Sequence, residues 1–387
     1  MPNLNPQPEA NPGSLPDWLH LQALRQPASI ALRHKRLGIW QVRTWRQVAD
    51  EVRSLAKTLH QRGFGQGNSL LIISRPRPES LLAALAAQWL GGVAVLLDPL
   101  EDAEPQVSLL ADLQAEFVFA EGLQEIQRLQ AAALQPRLLI YADGRGLLSS
   151  PALPEAHAYA ALIKPAVDLL LRPQARPERT AFAFYRLGAE QGLEQQRISH
   201  AELLQAGRHL VKTEHLGRQE EALAARAFAT GGQARYLLAP WLIAGFRLNF
   251  PENLATRDQD RRELGPTLVA GTRETFSRLH MQILQRLPEP GSRSRRLIDW
   301  ALAKRPTVWQ RSLGYWLVRR PLRDALGFSR TRAPLLVGEE LAADTQAFFD
   351  VLGIEVRTWP DPAQWRQPVV PAARQVDGWI DGGSQLA

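Results

Sequence analysis

Apolar and polar positions along this chain switch repeatedly between two periods. In VADEVRSLAKTLHQR the apolar residues recur every three or four positions. A Thr-x-x-Gln capping box, Thr44–Gln47, opens this segment and Gly63 stops it, which predicts an amphipathic helix. GNSLLIIS then reads as a strand, PESLLAALAAQWL as a helix, VAVLLD as a strand, EPQVSLLADLQ as a helix and AEFVFAE as a strand. LQEIQRLQAAALQ, a helix, and RLLIYAD, a strand, continue the series. Strands alternating with helices of this length predict parallel βαβ units. The run Leu81–Leu97, interrupted only by Gln88, is at the short limit for a membrane span. Gly91-Gly92 divides it into a buried helix and a buried strand.

A Pro- and Ala-rich stretch, 149–179, precedes a second series. It opens with the strand TAFAFYRL, a glycine-bearing loop and a helix announced by a second box, Ser199–Glu202. Further strands are expected at RYLLAP, FRLNF, TLVAG, APLLVG and GIEVRTW. The predicted architecture is two doubly wound α/β lobes. A flexible tail covers 1–14, the first lobe 15–148, a connection 149–179 and the second lobe 180–359. A basic helical excursion, 292–332, belongs to the second lobe, and an irregular tail follows at 360–387. No internal repeat stands out in the sequence.

Composition changes this picture in three ways. With 387 residues, 45% apolar and 22% charged, the chain falls in the globular range and suits two lobes. It has no cysteine, which excludes disulfide scaffolds, thiolate metal sites and cysteine nucleophiles. Met1–His20 lacks the charged-then-apolar layout of a signal or transit peptide, so the cytoplasm is expected. The net charge of +7 is not evenly spread. Segment 292–332 holds eleven basic residues against Asp299 and Asp324, and the rest of the chain is slightly acidic.

Read in this order, the chain resembles the adenylate-forming superfamily of AMP-binding acyl-CoA synthetases, and most closely the long-chain fatty acyl-CoA ligases. The resemblance runs from about Leu15 to about Gly353. It is carried by the opening PDWLHLQALRQPASIALRHKRLGIWQVRTWRQVADEVRSLAKTLHQRGFGQGNSLLIIS, by GPTLVAGTRETFSRLH and by LRDALGFSRTRAPLLVGEELAADTQAFFDVLGIEV. It implies four chemical elements, and each is altered here. The phosphate loop of small hydroxyl residues and glycine, with its lysine, falls on 186–195. There Gly188 and Gly192 are glycines, but Arg186, Leu187, Ala189 and Glu190 stand at the hydroxyl positions and Glu194 at the lysine position. Short residues let backbone N–H groups reach phosphates, whereas two carboxylates repel them.

The adenine and Mg²⁺ run falls on Trp359-Pro-Asp361-Pro, with Ala363-Gln364 replacing Thr-Glu. The ribose aspartate has no match in the tail VDGWIDGG. The lid domain with its adenylation lysine would lie beyond Ala387. ATP and Mg²⁺ binding are therefore expected to be lost.

Ser199 and His200 could suggest a nucleophile and base, but at a capping-box position they more often satisfy helix N–H groups, and no third orienting residue is evident. The histidines show no metal-ligand spacing, and no metal site is expected. In WQRSLGYWLVRRPLRDALGF, Trp309, Leu313, Trp316, Leu317 and Arg320 recur at helical spacing, flanked by Arg311, Arg319 and Arg323. Either this stripe packs on the lobe, or it is a surface for an anionic membrane or a partner. Nucleic acid is not expected. The leading expectation is a non-catalytic relative of long-chain acyl-CoA ligases. It would act as a scaffold or regulatory partner of an active ligase or acyl-transfer enzyme, at the cytoplasmic membrane face. Two alternatives stay open: a module binding fatty acyl or acyl-CoA groups without ATP, and an adenylating enzyme completed by a separate lid polypeptide.

Overall fold

Strand-forming runs such as SLLII are apolar at every position, and both faces of such a strand must be covered. The computed structural model describes residues 12–147, 156–164, 172–188, 192–303, 307–362 and 365–367, side chains 310 and 311 excepted. In chain order its strands are β1 (Ile30–Arg36), β2 (Ile39–Thr44), β3 (Ser69–Ile73), β4 (Val93–Leu97), β5 (Phe117–Ala120), β6 (Leu138–Tyr141), β7 (Ala156–Ala158), β8 (Thr180–Leu187), β9 (Leu193–Ser199), β10 (Glu221–Leu223), β11 (Arg247–Phe250), β12 (Leu268–Gly271), β13 (Ala333–Val337) and β14 (Arg357–Trp359).

They form two seven-stranded sheets, ordered β14-β13-β12-β10-β11-β1-β2 and β7-β6-β5-β3-β4-β8-β9. All neighbours are parallel except the edge hairpins β1–β2 and β8–β9.

Alternation along the strands builds five layers. Leu70 and Ile72 of β3 face a core shared with Leu248, Phe250 and Leu335 of the other sheet and with the helices between. Leu71 and Ile73 face outward onto helices Ala103–Leu113 and Leu123–Ala131. On the far side, Val269 and Leu336 are covered by helices Arg273–Leu284 and Ala343–Val351. Leu81–Leu97 is the expected buried helix and strand: Pro78–Trp89 is buried along its whole length and leads into β4.

The element order occurs twice: an antiparallel hairpin, a capped helix, then parallel strands. Thr44 and Ser199 cap the two equivalent helices with the same backbone angles, φ −77° and ψ 163°. Each hairpin carries a register shift, at Ile30/Leu32 and at Thr180/Phe182. The carbonyls of the skipped residues accept from helix side chains, Trp241 Nε1 to Ala31 at 3.1 Å and Gln88 Nε2 to Ala181 at 2.9 Å.

The chain division at 149–179 separates these two runs, but it does not separate the sheets. Hairpin β1–β2 joins the strands of the second run and β8–β9 those of the first, because pairing follows the open sheet edge and not sequence distance. A second correction concerns RYLLAP. It is helical, a π turn at Ala234–Leu238 inside a helix running from Gly231 to Ala244, and the strand beside it is the three-residue β10.

Candidate functional site

The segment at the phosphate-loop position closes as the tip of hairpin β8–β9. Arg186 pairs across from Glu194 and Leu187 from Leu193, and the Gly188 N–H donates to the Gly192 carbonyl at 2.8 Å. Arg186 Nε lies 2.8 Å from Glu194 Oε2, and the guanidinium sits 4.3 Å above the Trp365 ring. A Cβ on Gly188 would come within 2.7 Å of the Glu194 carboxylate, so this glycine makes room for the ion pair. Gly192 faces open space. Ala189 and Glu190 lie outside the described residues.

The chain leaving β14 crosses to this hairpin. Trp359 packs between His209 and Tyr236, with ring centroids at 5.4 and 5.6 Å, and its Nε1 donates to Glu214 at 3.3 Å. The Tyr236 hydroxyl donates to the Pro360 carbonyl, and burial pushes its phenol pKa up. Asp361 accepts from the buried Arg235 at 2.7 Å, and Gln196 Nε2 donates to the Pro362 carbonyl at 3.4 Å. Gln195 and Arg366 then exchange backbone hydrogen bonds of 2.7 and 2.9 Å as an antiparallel bridge. Ala363 and Gln364 lie outside the described residues.

Sequence reasoning missed Arg235, Tyr236, Gln196 and Trp365. The one signal available was a charged residue, Arg235, inside an otherwise apolar run. It sits on the π turn, a local widening that often aims side chains into a site.

Ser199 and His200 do not join this cluster as a catalytic pair. Ser199 Oγ accepts from the Glu202 N–H at 3.2 Å, and Glu202 Oε2 accepts from the Ser199 N–H at 2.7 Å, a complete capping box. The His200 ring is buried, its Nδ1 accepts the Leu15 N–H at 3.3 Å, and burial lowers its pKa to about 4. Among the described residues no group of three or more His, Asp or Glu is placed to hold a metal ion.

A cavity of about 480 Å³ opens elsewhere on the rim, between the carboxyl ends of β1 and β11 and those of β3, β5 and β6. Arg75 meets both Glu121 oxygens at 3.0 and 3.1 Å, and Arg77 bonds Glu79 at 2.9 Å. Burial alone would raise the Glu79 pKa, but Arg77 and Arg43 hold it down at about 2. Arg75, Arg77 and Glu121 line the cavity, and charged groups of this kind suit polar ligands better than hydrocarbon.

The basic excursion is a third location. Trp309 and Trp316 are 85% and 59% exposed, so the stripe does not pack on the lobe. Arg320 stacks 4.7 Å from the Trp316 ring, Arg319 donates to the Ala301 carbonyl at 3.1 Å and Arg323 to the Phe328 carbonyl at 3.4 Å. The Arg311 side chain lies outside the described residues.

Two seven-stranded α/β sheets share one core, and the tip of hairpin β8–β9 is bridged to the chain after β14. The family model described as AMP-binding enzyme matches residues 19–358, and the chain belongs to that family. The medium/long-chain-fatty-acid–acyl-carrier-protein ligase FadD10 of Mycobacterium tuberculosis is 36% identical over 87 residues. That match spans 22% of this chain and 16% of the relative.

Among solved structures, the adenylation domain of a carboxylate reductase from Mycobacterium chelonae aligns with a TM-score of 0.67 at 12% identity, covering 92% of this chain and 58% of that one. A fatty acyl-adenylate ligase from L. pneumophila aligns at 0.59 and 15%, covering 89% and 53%. The luciferase-like enzyme of the mealworm Zophobas morio aligns at 0.64 and 14%, covering 92% and 73%. At these identities the likeness is one of fold.

Proposed function

We propose that this chain is a non-catalytic member of the AMP-binding family, a scaffold or regulatory partner for an enzyme of fatty-acyl metabolism. The observation that carries this reading is the Arg186–Glu194 pair beneath Trp365. A carboxylate, Glu194, stands where the family's lysine would meet the triphosphate, and the Arg186 guanidinium is paired with that carboxylate. Like charges ~4 Å apart cost about 4 kcal/mol at an effective dielectric of ~20. The Arg235–Asp361 pair supports the same reading, because it holds the chain after β14 by its own contacts. These residues do not fit Mg-ATP in the family's manner. The acyl class of the partner rests on the name of the relative, FadD10, over the matched 87 residues.

Calorimetric titration with Mg-ATP, paired with a pyrophosphate-release assay over fatty acids of several lengths, tests the proposal. We expect neither heat of binding nor release. Turnover at ordinary ligase rates overturns it. Binding of a non-hydrolysable long-chain acyl-adenylate analogue also overturns it, in favour of an acyl-adenylate sensor or an enzyme completed by a second polypeptide.

A further inference from the structure

We infer that the cavity at the tip of hairpin β1–β2 binds a small di- or tricarboxylate, at a site separate from the phosphate-loop position. The inference stands whether or not the chain binds ATP.

Counted from their hairpins, the two sheets have the same strand order. β4, β3, β5 and β6 follow β8 as β11, β10, β12 and β13 follow β1. The cavity is therefore the counterpart, at the first hairpin, of the rim at the tip of β8–β9. That rim carries the Arg186–Glu194 pair against Trp365, whereas this one encloses about 480 Å³, the size of a small-molecule site. None of its lining residues comes from β8, β9 or β14.

Two polar side chains in its wall are buried with hydrogen-bonding atoms left over. The Arg77 side chain is 13% exposed, and its Nε donates to Glu79 at 2.9 Å. Neither of its Nη groups has an acceptor among the described residues; Glu121 Oε1 is 3.8 Å from Nη1, beyond hydrogen-bond reach. His34 is 9% exposed, in the inward row of β1 with Leu32, and its ring nitrogens have no hydrogen-bond partner among the described residues. Buried polar groups are seldom left unpaired, so two that face one cavity mark the place of a ligand. Glu79 also accepts from Arg43 at 3.1 Å, which fixes the Arg77 fork before a ligand arrives.

The donors decide the ligand. Phosphate sites are built from backbone N–H groups, and here those groups are engaged. Leu37 and Gly38 donate to Glu252 at 2.8 and 3.0 Å, Arg75 to Glu121 at 2.8 Å and Arg145 to Asp143 at 3.0 Å. A guanidinium fork without them matches the two oxygens of a carboxylate. Arg36, an exposed lining residue with no carboxylate partner among the described residues, offers a second cation for a second carboxylate. His34 suits a hydroxyl or keto oxygen between them.

Calorimetric titration of the intact chain with succinate, malate, 2-oxoglutarate and citrate tests this, with inorganic phosphate and hexanoate at matched ionic strength for comparison. We expect saturable one-site binding of at least one of the four acids, and weaker binding of phosphate and hexanoate. Arg77→Lys keeps a cation beside Glu79 and loses the fork, so circular dichroism should match the parent while affinity falls about ten-fold or more. His34→Phe keeps a ring and removes both nitrogens, and Arg36→Gln alters only an exposed side chain; each should weaken binding several-fold. No saturable binding of any of the four acids overturns the inference, as does phosphate binding as tightly as the best of them. Affinity unchanged in Arg77→Lys and Arg36→Gln places the acid elsewhere and overturns it too. Competition by Mg-ATP would put the acid at the phosphate-loop position, and the inference falls, whereas failure of Mg-ATP to bind leaves these readouts intact.

Discussion

The His200 ring receives the Leu15 N–H and is almost wholly buried, so its neutral form is the one the fold selects. Burial also lowers His34 to about 4, with Arg77, Arg43 and Arg36 adding to the effect and Glu79 opposing it. The consequence for stability has a definite sign. The unfolded chain binds a proton near pH ~6.5 while the folded histidine resists it down to about 4, so stability is complete above ~6.5 and drains away as the pH falls. By about pH 5 each histidine would contribute a loss of about 2 kcal/mol. Urea midpoints between neutral and mildly acidic pH should fall in the parent and fall less in His200→Gln, which starts lower because its packing is disturbed. Parallel pH profiles for the two proteins would show that His200 is not a source of the acid sensitivity.

Elements were legible where a period ran long enough to repeat. The Thr44 and Ser199 boxes, the helix Pro78–Trp89 and the strands β3 to β6 stand where the pattern put them. Hairpin β1–β2 and the three-residue β10 were not legible, since a half-exposed edge and so short a strand leave no periodic signature. RYLLAP misled because its apolar run is compatible with either state. Pro240, which lacks an N–H and crowds the carbonyl four residues back, explains the wide turn just before it. Pro321 stands in the same relation to the turn at Tyr315–Arg319.

The Arg186–Glu194 pair could be anticipated only as a misfit, because the geometry that explains it comes from Trp365, far along the chain. Gln88 is similar: in the sequence it interrupts an apolar run, and in the fold it serves the skipped carbonyl of Ala181. Gln88→Leu keeps the volume and removes the donor, so it should destabilise by about 1–3 kcal/mol. In urea melts we expect a lower midpoint with an unchanged slope. A midpoint equal to the parent's would mean that the bulge carbonyl needs no partner.

The two runs of the chain exchange their hairpins, and this exchange makes the two sheets one unit. β8 supplies Phe182 and Phe184 to the core built on β3 and β4, while β1 supplies Ala31 and Leu32 beside β11. Trp45, at the start of the helix after the first hairpin, stacks on Trp241 of the second run at 4.8 Å, with both rings fully buried. Helix Leu15–Arg25 is tied the same way: Gln22 Nε2 donates to the Leu242 carbonyl at 2.7 Å and Gln26 Nε2 to that of Gly245 at 3.0 Å. A chain cut at the sequence division therefore leaves each half with a bare sheet edge and a hairpin that has nothing to pair with.

Fragments 1–164 and 172–387, expressed separately, should lack cooperative unfolding and aggregate. Co-expressed, they should purify as one complex whose circular dichroism matches the intact chain. The expectation rests on strand pairing and not on hydrophobicity in general, so it has a specific control. Fragment 1–199, which retains β8 and β9 for the second sheet, should be the more soluble N-terminal piece, although its β1–β2 hairpin still lacks β11. If fragment 1–164 melts cooperatively by itself, its five parallel strands suffice without the borrowed hairpin. The two runs would then be independent domains after all, and the exchanged hairpins would be mere attachments between them.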